Sequence, residues 1–339
     1  MKLHNTINGE ELKEKIQKGD EKRVTISFYK YAKIGNPQLF RDHLFYYWNP
    51  LGVLGRIYVA TEGINAQLSV PSENLEDFKK EVDNIVFLRN NRLNYAVVDD
   101  GKSFFKLAVK VRKKIVADGL NDDLFDVSKP GQYLKVEEFN TLTDQEETVL
   151  IDMRNHYESE VGYFEGAWCP DVDTFREQLP LVVDELEDQK DKPIVMYCTG
   201  GIRCEKASAY LKHKGFENVY HLEGGIIKYA RDAKEAGLRN KFIGKNFVFD
   251  ERINERISDD IIAVCHQCGD SFDDHINCKN KACNLLFIQC PKCAEKYAGT
   301  CSEHCKTIAA LPEEEQRELR KGKDNGVRIF SKGRFDLNN

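Results

Sequence analysis

Cys198 is the residue of this sequence whose surroundings best suit chemistry. The apolar run IVMY at 194–197 predicts a buried strand that ends at Cys198, and Gly200 and Gly201 then predict a tight turn into a helix. A sulfur in that place faces unpaired N–H groups and the positive end of the helix, and Arg203 adds a fixed charge. These features favour a thiolate or a persulfide anion on Cys198. The predicted anion cradle consists of Thr199, Gly200, Gly201, Ile202 and Cys204.

Two alternatives to this interpretation follow from the residues themselves. Cys198 could be a buried structural cysteine before a glycine turn. Cys204 could be a small buried residue at the helix start, or a resolving thiol that forms a disulfide with Cys198. Cys169, beside Pro170, has no predicted chemistry.

The segments around this loop resemble the rhodanese domain across roughly residues 128–235. The resemblance rests on a D-x-R strand end in VLIDMRN (149–155), a G-x-x-x-G-A turn at 162–167, and a Gly-Gly bend in GFENVYHLEGGIIKYA (215–230). Cys198 and Arg203 match the active-loop positions of that family, which makes both of them predicted catalytic residues. The resemblance implies that Cys198 can carry a persulfide.

A second cluster of reactive side chains lies near the carboxyl end, where eight cysteines occur in four short pairs. Two such pairs can surround one tetrahedral zinc ion, so eight thiolates predict two structural zinc ions. The spacing leaves open which pairs share an ion, and an iron–sulfur cluster and metal-free thiols are the alternatives. His266, His275 and His304 are predicted to be ordinary surface residues. The predicted metal ligands are Cys265, Cys268, Cys278, Cys283, Cys290, Cys293, Cys301 and Cys305.

The first 120 residues predict a separate domain, whose sheet carries further polar side chains on one face. Alternating strands and amphipathic helices follow one another in the order β-α-β-β-α-β, which predicts a ferredoxin-like sandwich with two helices on one face of an antiparallel sheet. The other face is predicted to be open. The residues predicted to face the helices are Val24, Ile26, Phe28, Ile57, Val59, Leu107, Val109 and Val111.

The opposite face of this sheet combines basic residues with tyrosines. Such a surface suits single-stranded RNA, whose bases stack on aromatic rings while its phosphates pair with cations. An exposed sheet face that carries charges because it is wet is the alternative. The predicted RNA-binding residues are Tyr29, Arg56, Tyr58, Lys106, Lys110, Arg112 and Lys114.

Length and composition are those of a soluble globular protein of several domains. The chain has 339 residues and a formal net charge of -6 at pH 7. We find no secretory signal or membrane-spanning run, and the clustered cysteines are typical of metal sites, so we predict a cytoplasmic protein with no membrane partner. The predicted divisions are a ferredoxin-like RNA-contacting domain at 1–120, a linker at 121–133, a rhodanese domain at 134–240, a cysteine-rich metal module at 241–310 and a basic tail at 311–339.

The three parts together resemble the bacterial tRNA uridine(34) hydroxylase family, which contains a rhodanese domain. The resemblance covers nearly the whole chain and includes YVATEGINA (58–66), KLAVKVRKKIVADG (106–119) and the loop CTGGIRCEKAS. It implies oxygen-dependent hydroxylation of the wobble uridine (position 34) of tRNA to 5-hydroxyuridine, with dioxygen as co-substrate, tRNA as partner and Cys198 as the active cysteine.

The residues leave the route to that product open. The sequence has no flavin or nicotinamide glycine motif. We therefore hypothesise that Cys198 adds to C6 of uracil and makes C5 electron-rich. A persulfide sulfurtransferase acting on tRNA or a small acceptor, served by a persulfide donor protein, is one alternative function. A noncatalytic RNA-binding zinc protein is the other.

Overall fold

The first domain is a five-stranded sheet with two helices on one face. The computed structural model describes Leu3, Asn5 and residues 7–121 and 124–321. The elements of this domain are α1 (Gly9–Lys18), β1 (Arg23–Tyr31), α2 (Pro37–Trp48), β2 (Leu54–Ala60), β3 (Gly63–Pro71), α3 (Leu75–Asn84), β4 (Asn94–Tyr95) and β5 (Leu107–Val111).

The strand order β4-β1-β3-β2-β5 contains the predicted ferredoxin-like arrangement, with β3 antiparallel to both β1 and β2. The prediction of an entirely antiparallel sheet is wrong, because β5 pairs with β2 in parallel. The two-residue strand β4 pairs with the opposite edge, at β1. Strand β4 is too short to show an alternating pattern in the sequence. Helix α1 was not predicted either, because none of its residues is buried.

The helix-covered face of this sheet holds the core of the domain. Seven of the eight residues predicted to face the helices belong to or pack against one apolar cluster around Trp48 and Phe78. Val111 is the exception, and the prediction that it is buried is wrong. It is the last residue of the edge strand β5 and is 39% exposed.

The second domain is a parallel α/β sheet with helices on both faces, which confirms the predicted rhodanese-like class. Its strand order is β6-β10-β9-β7, and separate apolar clusters fill the two sides of the sheet. The elements are β6 (Gln132–Leu134), α4 (Val136–Leu142), β7 (Val149–Asp152), α5 (His156–Ser159), β8 (Gly162–Phe164), α6 (Phe175–Glu185), β9 (Ile194–Tyr197), α7 (Ile202–His213), β10 (Val219–Leu222) and α8 (Gly225–Ala236).

The third part begins with a strand that joins the second domain and continues into the cysteine-rich module. Strand β8 pairs with β11, which pairs with β12, and β13 and β14 form a separate hairpin. The remaining elements are β11 (Phe242–Phe247), β12 (Asn254–Arg256), β13 (His275–Asn277), β14 (Leu286–Ile288), α9 (Pro291–Lys296), α10 (Glu303–Ala309) and α11 (Glu313–Arg320). Residues 322–339 of the predicted basic tail, with Lys323, Arg328, Lys332 and Arg334, lie outside the described residues.

Within the described ranges, none of the helices has the length and apolar character needed to cross a membrane.

The second face of the first sheet is not open as predicted, because helix α7 and the loop before it lie against it. The hydroxyl of Tyr29 donates to Glu205 at 2.7 Å, and that of Tyr31 donates to the carbonyl of Ile202 at 3.2 Å. Buried Lys206 pairs with Asp118 at 2.6 Å and also with Glu62. Polar side chains of this face, which would be exposed to solvent on an open sheet, therefore contact the second domain.

Candidate active site and metal centres

Cys198 lies immediately after β9, at the start of the loop that leads into α7. The amide of Gly201 donates a hydrogen bond to its Sγ at 3.2 Å. Gly201 has a φ of 100°, a left-handed conformation that a residue with a side chain adopts only with strain. The turn therefore directs a backbone donor at the sulfur and then begins the helix.

The pKa of Cys198 is lowered to about 5. Burial alone would raise this pKa, but the thiol of Cys204, the charge of Arg203 and the amides of Cys204 and Gly201 together stabilise the thiolate more strongly. Burial and the hydrogen bond to Cys198 raise the pKa of Cys204 well above its usual value. At neutral pH, Cys198 is therefore a thiolate that accepts a hydrogen bond from the neutral thiol of Cys204.

Arg203 acts on this sulfur through its charge and is held by a carboxylate. Its guanidinium donates two hydrogen bonds to Glu158, at 2.6 and 2.7 Å, and both side chains are buried. Burial opposes the ionised form of Glu158, but Arg203 outweighs it and lowers the pKa of that carboxyl. The bidentate pair holds a permanent positive charge beside the loop. Glu158 had no predicted role, since nothing in its local sequence marks it as the partner of Arg203.

The other predicted cradle residues make contacts that fix the loop. Thr199 donates from its hydroxyl to Glu158 at 3.3 Å, and the carbonyl of Gly200 accepts from Asn94 at 3.3 Å. The carbonyl of Cys198 itself accepts from the amide of Ile226 at 3.0 Å. The loop is therefore held from both domains, and the cradle assignment of Thr199, Gly200 and Ile202 stays a prediction.

A cavity of about 360 Å³ lies between the loop that begins at Cys198 and the first sheet. This volume falls within the range of small-molecule sites, about 300–1,000 Å³. One wall contains Cys198 and its loop, and the opposite wall is the sheet face predicted to bind RNA. The side chains of that sheet wall include Thr25, Ser27, Tyr29, Arg56, Tyr58, Asn65 and Gln67.

The sheet wall is arranged in two rows by strand register. Asn65 of β3 lies opposite Tyr29 on one side and Tyr58 on the other. Gln67 likewise lies between Ser27 and Arg56. Asn65 and Gln67 are not among the residues predicted for this surface, because neither is a cation or an aromatic ring. The alternation of INAQLSV nevertheless indicates that both side chains point away from the helices.

The predicted RNA-binding residues occupy three kinds of position. Tyr29, Arg56 and Tyr58 line the cavity. Lys106, Lys110 and Arg112 are exposed along or beside the edge strand β5, and the guanidinium of Arg112 lies over the ring of Tyr58 at 5.4 Å. Lys114 lies beyond β5, and its ammonium binds Asp118 at 2.7 Å. RNA binding by these residues stays a prediction.

The eight clustered cysteines form two separate groups of four, and each group could hold a metal ion. In each group all four Sγ atoms lie within 4.8 Å of one another. Three of the sulfur–sulfur distances, Cys268–Cys290, Cys283–Cys301 and Cys301–Cys305, are 3.6 Å, close to the separation of about 3.8 Å that four Zn–S bonds of about 2.3 Å give in a tetrahedron. The pairing is interleaved: Cys265, Cys268, Cys290 and Cys293 form one group, and Cys278, Cys283, Cys301 and Cys305 the other.

The prediction that His266 and His275 are ordinary surface residues is wrong. The Nε2 atom of His266 lies 2.6 Å from a carboxylate oxygen of Glu160, and His275 is buried beside the same carboxylate. The pKa of Glu160 falls to about 2, because its contacts with the two imidazoles outweigh the effect of burial. Both histidines therefore attach the cysteine-rich module to the second domain.

Comparison with known proteins covers almost the whole chain. The chain is 59% identical over 336 residues to the tRNA uridine(34) hydroxylase of Photorhabdus laumondii, covering 99% of this chain and 96% of that protein. This chain belongs to the tRNA uridine(34) hydroxylase family. The hydroxylases of Pectobacterium carotovorum and Escherichia fergusonii are each 58% identical over 337 residues, covering 98% and 99% of this chain and 94% and 96% of theirs.

Family models match three successive parts of this hydroxylase family member. They are a UPF0176 acylphosphatase like domain at 23–115, a Rhodanese-like domain at 135–232 and a Rhodanase C-terminal region at 243–306. The first match coincides with the sheet that forms one cavity wall, and the second includes Cys198. The third match contributes Val248, Phe249, Asp250 and Arg252 to the lining, so in this hydroxylase the cavity is built jointly by three parts that family models describe separately.

Proposed function

We propose that this protein hydroxylates C5 of the wobble uridine of tRNA, with dioxygen as the oxidant. The observation that carries the proposal is a stabilised thiolate, Cys198, facing a cavity whose other wall carries tyrosines and amide side chains. Membership of the hydroxylase family supplies the substrate class.

The cavity suits a single base that has left its stack. Enzymes that modify a base commonly extrude it into a close-fitting pocket, and aromatic side chains can stack on it there. Tyr29 and Tyr58 supply such rings in the sheet wall. Lys106, Lys110 and Arg112 are exposed nearby on β5 or next to it, where phosphates of the anticodon loop can pair with them.

Cys198 supplies the nucleophile. Its Sγ forms a bond to C6, and the electron pair of the C5=C6 double bond moves onto the C4 carbonyl to give an enolate. C5 is then electron-rich and accepts one oxygen atom. Loss of the proton from C5 and departure of Sγ from C6 restore the double bond. Arg203 keeps the sulfur anionic before attack and makes it a better leaving group at the end.

The reaction also requires two electrons, because dioxygen contributes one atom to the product and one to water. A thiol reductant balances it: uridine, dioxygen and two thiols give 5-hydroxyuridine, water and a disulfide. Cys204 is neutral and donates a hydrogen bond to the Cys198 thiolate, so we assign it to stabilising that anion. The reductant is then a thiol or persulfide from a separate donor.

The decisive experiment measures tRNA nucleosides by mass spectrometry after incubation of purified protein with tRNA, a thiol and dioxygen. We expect 5-hydroxyuridine at position 34 with the unaltered protein, and none with Cys198→Ala or without dioxygen. A denaturation-resistant RNA adduct on Cys198 would support addition at C6. Full turnover by Cys198→Ala would refute the nucleophilic role, and absence of product with the unaltered protein would refute the function.

The cysteine-rich module completes the proposal. We assign one structural zinc ion to each group of four cysteines, because a tetrahedral set of thiolates is the ligand set of structural zinc. We also propose that the domains divide as predicted from the sequence and that the protein is cytoplasmic, where tRNA is available. Metal analysis that found no zinc in freshly purified protein would refute the assignment.

A persulfide sulfurtransferase is the second candidate, because donors that stabilise a thiolate also stabilise a terminal persulfide sulfur. The amides of Gly201 and Cys204 are such donors. Incubation with thiosulfate, followed by mass analysis, would detect one added sulfur on Cys198. Transfer of that sulfur to tRNA or a small acceptor, without 5-hydroxyuridine formation, would favour this candidate.

A further inference from the structure

Asn65 occupies the centre of the sheet wall of the cavity. It lies on β3 between Tyr29 of β1 and Tyr58 of β2, which are its direct cross-strand neighbours. All three side chains line the cavity that contains Cys198. A base that enters between the tyrosines and the catalytic loop therefore meets an amide at the middle of this wall.

The orientation of that amide is fixed by a backbone group. Its Nδ2 donates to the carbonyl of Ile115 at 3.2 Å. Because a carbonyl only accepts hydrogen bonds, the amide nitrogen must face it, and the oxygen must point the other way. In the described part of the chain nothing donates to Oδ1 of Asn65. The wall therefore offers an acceptor that cannot become a donor by rotation of the amide without loss of an existing hydrogen bond.

This arrangement distinguishes Asn65 from Asn94, another amide that lines the cavity. Asn94 also donates, from Nδ2 to the carbonyl of Gly200 at 3.3 Å. Its Oδ1 is buried beneath the surface, and the side chain is 5% exposed. Asn65 is half-buried and its Oδ1 is not enclosed, so it is the one of these two acceptors that a base can reach.

We infer that Asn65 selects uracil over cytosine, with its Oδ1 accepting the N3–H of the base. Uracil carries a hydrogen-bond donor at N3, whereas N3 of cytosine is an acceptor and would face the amide oxygen lone pair to lone pair. The inference rests on the proposed function, since it assumes that the base in the cavity is the wobble uracil. Gln67, on the same strand and face, is placed to donate a hydrogen bond from its amide to a carbonyl oxygen of the same base.

The test compares three anticodon stem–loop RNAs that differ only at position 34, which carries uridine, cytidine or 3-methyluridine. Binding is measured without dioxygen, so that no turnover occurs. The unaltered protein should bind the uridine RNA roughly ten- to a hundredfold more tightly than the other two, the usual effect of pairing or orphaning one buried donor or acceptor. In Asn65→Ala and Asn65→Leu this ratio should fall towards one.

Asn74→Ala is the matched control, because Asn74 also anchors its Nδ2 to a backbone carbonyl, that of Leu51, but does not line the cavity. It should keep the full ratio for uridine over cytidine. The alkylation rate of Cys198 should be the same in the Asn65 variants as in the unaltered protein, which shows that the catalytic loop is intact.

Two outcomes would overturn the inference: an undiminished uridine preference in both Asn65 variants, or no preference in the unaltered protein. Neither decides the proposed function, which is judged separately by 5-hydroxyuridine formation on the uridine RNA in air. If that product forms while the Asn65 variants still discriminate, only the inference fails. If the unaltered protein forms no product, the proposed function fails.

Discussion

Replacement of Cys204 by alanine should raise the pKa of Cys198 by about one unit. The Cys204 thiol donates to the Cys198 thiolate, so the substitution removes one of the groups that bring this pKa to about 5. A hydrogen bond to a charged group contributes about 1.5–3 kcal/mol, and a thiol is a weak donor, so we take about 1.5 kcal/mol. At about 1.4 kcal/mol per pKa unit, the pKa should move to about 6.

The direction of this shift follows from which state loses stabilisation. The removed donor contacts the anion and gives the protonated thiol no comparable benefit, so its loss favours protonation. The amides of Gly201 and Cys204 and the charge of Arg203 remain, which is why the pKa should stay well below that of a free thiol. Cys204→Ser restores a donor of similar position and should keep the pKa close to that of the unaltered protein.

The measurement is the rate of alkylation of Cys198 by iodoacetamide as a function of pH, followed by peptide mass spectrometry. The rate reports the thiolate fraction, so its midpoint gives the pKa. Cys169→Ala is the control, because burial raises the pKa of that half-buried thiol to about 12 and it lies on a different loop. An unchanged midpoint in Cys204→Ala, or an equal shift in Cys204→Ser, would refute the assigned hydrogen bond.

Three further predictions concern other parts of the molecule. Glu158→Gln should lower the free energy of unfolding by about 3–5 kcal/mol in urea titrations, because it leaves the buried charge of Arg203 without its partner; a loss within error would contradict a structural role for the pair. Lys110→Ala should reduce the salt dependence of tRNA binding by about one phosphate contact, whereas Lys114→Ala should reduce it less, because the ammonium of Lys114 already binds a carboxylate; equal effects would contradict the assignment of β5. Cys268→Ser should reduce bound zinc from two ions to one in metal analysis, since the second group shares no ligand with the first; retention of both ions would show that the groups are wrongly assigned.

Local patterns were enough to predict the strand, loop and helix around Cys198. An apolar run, two glycines and a helix start are contiguous in sequence, so the position of the sulfur depends on few distant residues. Strand alternation likewise predicted which side chains share a face of the first sheet. It could not predict that this face is covered, because the contacts of Tyr29 with Glu205 and of Lys206 with Glu62 join residues more than 140 positions apart.

The same limit explains the histidines and the cysteine pairing. Spacing shows that two cysteines lie on one turn, but the choice of partner turn depends on how the hairpin and helices of the module fold back. The structure brings Cys265 beside Cys290 and Cys278 beside Cys301, with a backbone amide donating to a sulfur in each case. His275 was misplaced because the carboxylate that it contacts, Glu160, belongs to the preceding domain.

Lys206 makes the second domain depend on the first, because its buried charge is neutralised by residues of the first domain. Its ammonium, wholly buried, follows Cys204 on helix α7 and is neutralised by two carboxylates of the preceding part of the chain. Separation of the two domains would leave the buried ammonium of Lys206 without either carboxylate, whereas Asp118 would keep its contact with Lys114. The helix that follows the Cys198 loop therefore depends on the first domain to neutralise a buried charge, which couples the folding stability of the two domains.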